Sequence, residues 1–91
     1  MNRSKILDEA QRAIERQQYD RAVRAYRNLL ISTPGDLQVR LKLAELYLRV
    51  QNRNEAIKHY HHIAHFYLNQ GDLHRASSVY HLVVKISPSD I

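Results

Sequence analysis

Ninety-one residues with no cysteine, a net charge of +5 and 44% hydrophobic residues suit one domain with a core of its own. The missing thiols exclude a disulfide framework, a cysteine nucleophile and a Cys-based zinc site. No window approaches the roughly 18 apolar residues of a membrane span, and Met1-Asn2-Arg3-Ser4-Lys5 opens nothing like a signal peptide, so a soluble cytoplasmic protein is expected.

The apolar spacing is helical from end to end, with no alternating strand pattern. A first helix is predicted from about Arg3 to Gln17, with Ile6, Ala10, Ala13 and Ile14 on its apolar stripe. A second runs from about Asp20 to Ser32 and buries Ala22, Val23, Tyr26, Leu29 and Leu30. Pro34-Gly35 breaks the chain, and Asp36 caps a third helix that carries Val39, Leu43, Ala44, Leu46 and Tyr47 to about Val50. Asn52 and Glu55 have the spacing of a capping box at the start of a fourth helix, which reaches about Asn69. Gly71 takes the left-handed turn after it. Asp72 caps a fifth helix to about Ser87, where Pro88 stops it. Short linkers make neighbouring helices pack antiparallel, giving an all-α stack.

One pattern comes back three times: Ala-x3-Tyr at Ala22/Tyr26, Ala56/Tyr60 and Ala76/Tyr80. A small residue and a ring four apart share a helical face, so one backbone comes close while the ring fills the space beside it. The first two copies stand 34 residues apart and the third follows after only 20. The fourth helix must then serve two hairpins. Taking Tyr60 as reference, Ala56, Ile63, Ala64 and Tyr67 fall within about 40° of it, and Ile57 and Leu68 widen that face.

These residues resemble the tetratricopeptide repeat (TPR) family. The first repeat reads Ile6-x2-Glu9-Ala10-x2-Ala13, Tyr19-Asp20-x-Ala22-x3-Tyr26 and Pro34; the second reads Leu43-Ala44-x2-Tyr47 and Asn54-Glu55-Ala56-x3-Tyr60. A third match, Tyr60-x2-Ile63-Ala64-x2-Tyr67, Gly71-Asp72, Ala76-x3-Tyr80 and Pro88, begins inside the second. The resemblance implies an antiparallel helix-hairpin stack, an α-solenoid segment of two and a half repeats, similar to Arg-rich segments at the start of bacterial regulatory proteins. Repeat 1 would span about 3–36, repeat 2 about 37–70, and an extra helix about 72–87, within one domain over 1–91. Leu68 stands where a proline should close the second repeat. The stop at a repeat boundary suits the N-terminal part of a longer protein.

The family's role implies a partner protein, a peptide or a helix held in a groove lined by the first helices of successive repeats. Carried over by pattern, the groove positions are Leu7, Gln11, Ile14 and Glu15, then Gln38, Leu41, Lys42, Glu45, Leu48 and Arg49. Their mixture of aliphatic and basic residues suits an acidic, amphipathic ligand. A related subfamily grips a C-terminal carboxylate with Lys and Asn where this chain has Leu7 and Gln11, so that activity is not expected.

The fifth helix suggests a second role. Its apolar residues spread over roughly 200° of circumference, more than one neighbour covers. Leu73, Val79, Leu82, Val83 and Ile86 are therefore candidates for self-association into a homodimer. Dedicated nucleic-acid binding is a minor third reading: residues 1–34 carry seven Lys/Arg and four Asp/Glu, residues 35–91 seven and five, with no basic block.

The fourth helix carries His59, His61, His62 and His65. His61 and His65 have the four-residue spacing for a shared ion, but no His-Glu-x-x-His pattern or third ligand accompanies them, so no metal is expected. The serines lack an oxyanion donor and no glycine-rich phosphate loop occurs, so neither catalysis nor a cofactor is expected.

Overall fold

In a computed structural model, residues 2–87 are described. They form five helices: α1 (Arg3–Glu15), α2 (Tyr19–Ser32), α3 (Leu37–Arg49), α4 (Arg53–Asn69) and α5 (Leu73–Ile86). No strand occurs among the described residues. Each helix packs on its neighbours in sequence, α1 on α2, α2 on α3, α3 on α4 and α4 on α5. Pro88, expected to stop the last helix, lies outside the described residues; α5 ends at Ile86.

The Ala-x3-Tyr pattern explains the stack. Ala10, Ala22, Ala44, Ala56, Ala64 and Ala76 are each at most 1% exposed, so backbones approach closely at every helix pair. Tyr26, Tyr47 and Tyr60, with Leu29, Val39, Leu43 and Ile63, fill the space beside them. All five predicted core residues of α2 and all five of α3 are buried. On α1 only Ala10 and Ala13 are buried, while Ile6 and Ile14 lean half-exposed against the core.

The helix ends reveal how α4 is shared. Helices α1, α3 and α4 all end in the same turn. Gln17, Gln51 and Gly71 have φ of 59°, 63° and 76°, in the left-handed region. The amide that follows each one reaches five residues back: Gln18 to Ala13 at 2.7 Å, Asn52 to Tyr47 at 2.8 Å and Asp72 to Tyr67 at 2.9 Å. By contrast, α2 and α5 end at Thr33 and Ser87 with extended φ of −133° and −143°. Helix α4 thus enters through one hairpin turn and leaves through another of the same kind. It closes one hairpin and opens the next.

Those turns correct the first boundary. Helix α1 stops at Glu15 rather than Gln17, because Gln17 is the left-handed residue of its turn. Only the third turn has glycine, so the first two carry the steric cost of a side chain at positive φ. Gln51→Gly is expected to stabilise the fold by about 0.5–1 kcal/mol, and Gly71→Gln to cost a similar amount. Urea midpoints moving in opposite directions at constant slope would show it; a loss of stability in Gln51→Gly would mean that the glutamine side chain contributes more than the strain.

The capping box is half formed. Asn52 accepts from the Glu55 amide at 3.3 Å, as expected. The return bond is absent because the Asn52 amide already serves the Tyr47 carbonyl, and the Glu55 carboxylate pairs with Lys58 at 3.2 Å instead.

Candidate functional site

The predicted groove positions fall on α1 and α3. Gln11, Glu15, Gln38, Lys42, Glu45 and Arg49 are exposed, whereas Leu7, Ile14 and Leu48 are half-buried and pack against the core. Leu41, 42% exposed, is therefore the one aliphatic side chain of this set that faces solvent. Arg49 is held by Tyr19: its guanidinium donates to the phenol oxygen at 3.0 Å and lies 5.5 Å from the ring centre. Burial, and then the charge of Glu45, push the phenols of Tyr26 and Tyr60 upward. Arg3 at the start of α1 pairs with Asp36, which caps α3, and ties the two repeats at that end. Neither tie was foreseen, since side chains 33 and 30 residues apart carry no local signal.

The histidines divide. His59 stacks on Tyr47, ring centres 5.7 Å apart and nearly parallel at 7°. Arg40 donates to its Nδ1 at 3.1 Å and to the Pro34 carbonyl at 3.0 Å. An imidazole that accepts at Nδ1 is neutral with its proton on Nε2. Burial, and then the Arg40 charge, hold His59 below its ordinary value; burial and Arg40 do the same to His62. The unfolded chain takes those protons more readily, so stability is full above about pH 6.5 and falls as acid is added below it. His59→Gln retains an acceptor for Arg40 without titrating, and is expected to flatten the fall between about pH 7 and 5. An unchanged slope would place the pH dependence elsewhere. His61 turns the other way and meets the Tyr80 ring edge-on at 5.8 Å. Among the described residues no three His, Cys, Asp or Glu side chains are grouped to hold a metal ion.

The far end of the stack is different. A groove of about 340 Å³ runs between α4 and α5 and is lined by Leu68, Leu73, Ala76, Ser77, Tyr80, His81 and Val84. Leu73 is 68% exposed and Val84 43%. Of the residues expected to promote self-association, Leu73 borders this groove, Val83 is buried in the core, and Val79 and Ile86 pack against it. Leu82 is exposed but does not line the groove, since it projects from the opposite side of α5. Leu68, Tyr80 and Val84 line the groove as well. A larger cleft of about 710 Å³ lies across α2, α3 and α4, but Arg27, Asn52, Glu55 and His59 make much of its wall polar. At the other end, α1 presents Arg3, Lys5, Asp8, Glu9 and Arg12 to solvent, and Arg16 at its C-terminal cap is exposed too.

No helix of the described residues is long and apolar enough to cross a membrane. No curated protein matches the chain. Family comparison does: residues 13–63 match the tetratricopeptide repeat, and residues 59–90 match it again. The two matches overlap at 59–63, inside α4, the helix whose two ends are built as hairpin turns. Repeats of this kind generally mediate protein–protein interaction and are typically non-enzymatic scaffolds. With five helices, a shared α4 and two such matches, the chain belongs to the tetratricopeptide repeat family, as a module of about two and a half repeats.

Proposed function

We propose that this chain recruits another protein, and that the docking face is the apolar end formed by α4 and α5. The observation that carries this reading is the groove floored by Leu68, Leu73, Tyr80 and Val84, left open while the α1 end is polar. Burying a Leu or Val of this kind is worth about 1.5–3 kcal/mol, so the uncovered face favours a partner. On this reading the repeats span 3–36 and 37–70, and the extra helix at 72–87 supplies the binding surface.

A second reading keeps the partner on the α1/α3 groove, and exposed Leu41 between Gln38, Lys42 and Glu45 favours it. A second copy of the chain is the alternative occupant of the α5 end. Nucleic acid is the minor one, with Arg3 and Arg49 engaged by Asp36 and Tyr19.

A photocrosslinker at Val84, at Leu41 and, as a control, at exposed Arg24 separates these sites in cells. Crosslinks to another protein are expected from position 84. Val84→Glu should cut the yield from a crosslinker at Ser77 at least about tenfold, with stability changed by no more than about 0.5 kcal/mol. Crosslinks from position 41 alone would move the site to the α1/α3 groove.

A further inference from the structure

Resting on the reading that the α4/α5 end is the docking face, we infer that its occupant is an amphipathic helix of another protein with carboxylates along its flanks, seated as α3 sits on α2. The repeat itself argues for a helix. Helix α5 repeats α2, with Tyr26 falling on Tyr80, Val23 on Ser77 and Leu30 on Val84. On α2 these positions are at most 9% exposed; α2 packs on α3, and Val23 and Leu30 share the wall of one cleft with Leu43 and Tyr47 of α3. On α5 the same positions line the open groove. The surface that α3 covers in the first repeat is built again and has no cover among the described residues. A helix fits it by presenting aliphatics at the steps of four and three seen in Val39, Leu43 and Leu46.

Charge selects the flanks. All six histidines of the protein lie between residues 59 and 81, and Asp72 is the sole carboxylate from 59 to 87. Asp72 is consumed as the α5 cap, accepting from the Arg75 amide at 3.1 Å and pairing with its guanidinium at 3.5 Å. On one side of the groove His61 and His65 share the strip of α4 that carries Leu68; on the other, His74, His81 and Lys85 follow one another along α5 at steps of seven and four. Neither strip holds an acid. Carboxylates on the occupant meet imidazole N–H donors and the Lys85 ammonium with no competing acid, whereas a symmetric pairing of two α5 helices brings Lys85 toward its own copy. The chain's own α3, with Arg40, Lys42 and Arg49, has the right apolar spacing and the wrong charge.

That contrast supplies the probe. A synthetic peptide of residues 36–50 carrying Arg40→Glu, Lys42→Glu and Arg49→Glu is titrated into the full chain and compared with the unaltered peptide, following backbone amide signals. The acidic peptide is expected to bind at least about tenfold tighter at low salt, shifting signals from Leu73 to Val84, and to lose that binding in Val84→Glu. Equal affinity for the two peptides, or no saturable binding by either, overturns the inference. A chain that pairs with itself through Val84 also overturns it, while leaving the docking face in place. Binding lost in Leu41→Glu but kept in Val84→Glu overturns the docking face itself.

Discussion

Tyr60→Ala is expected to cost about 3–5 kcal/mol, the range for emptying a large buried aromatic site. Tyr60 is 2% exposed and lies at the centre of the α4 arc whose neighbours Ala56, Ile63 and Ala64 are also buried. One face of α4 meets α3 and the adjoining one meets α5, so the cavity opens where both hairpins meet. A domain of this size holds roughly 5–15 kcal/mol in total, and the loss consumes a large share of it. At about 4–8 °C per kcal/mol, the thermal midpoint should fall by more than about 12 °C. Because α5 packs only on α4, the helical signal of α5 should melt with the rest. Tyr80→Ala, on a half-buried ring at the open end, should cost much less. If the two substitutions cost the same, α4 is not the shared element that its end turns indicate.

Asp36→Ala is expected to cost about 2 kcal/mol at neutral pH, the upper end for losing an N-cap. Two contacts go at once. The carboxylate accepts from the Val39 amide at 3.1 Å and pairs with Arg3, whose helix it joins to α3. Burial alone would raise the Asp36 carboxyl, but the Val39 amide and Arg3 outweigh it and hold the group below its ordinary value. A lowered carboxyl contributes stability above the usual range near about pH 4, and loses it as pH falls through its folded value. The gap between wild type and Asp36→Ala should therefore close in acid, where both lack the charge. A gap that persists at pH 2 would mean that the carboxylate contributes through packing rather than charge.

The fold was legible because its determinants are local. Five helices, their caps at Asp36, Asn52 and Asp72, and the core alanines and tyrosines follow from spacing and cap chemistry, and boundaries moved by one or two residues. The shortened 20-residue step between Tyr60 and Tyr80 disclosed the shared helix, which the turns at Gln51 and Gly71 bear out. What sequence could not give depends on distance. Gln17 and Gln51 carry left-handed turns without glycine, and the Arg40–His59 pair joins residues 19 apart across two helices. The detail of the open face depends on packing in the same way. Apolar residues on α5 predicted that something is uncovered, but only packing against α4 decides that Val83 goes inside while Val84 and Leu73 stay out.

Light scattering across a hundredfold range of concentration tests most directly whether the α4/α5 end is kept for a different protein. The account predicts a mass of 10.7 kDa throughout, unchanged in Val84→Glu. A doubled mass that returns to the single value in Val84→Glu would contradict it, because a second copy of the chain would then be covering the groove.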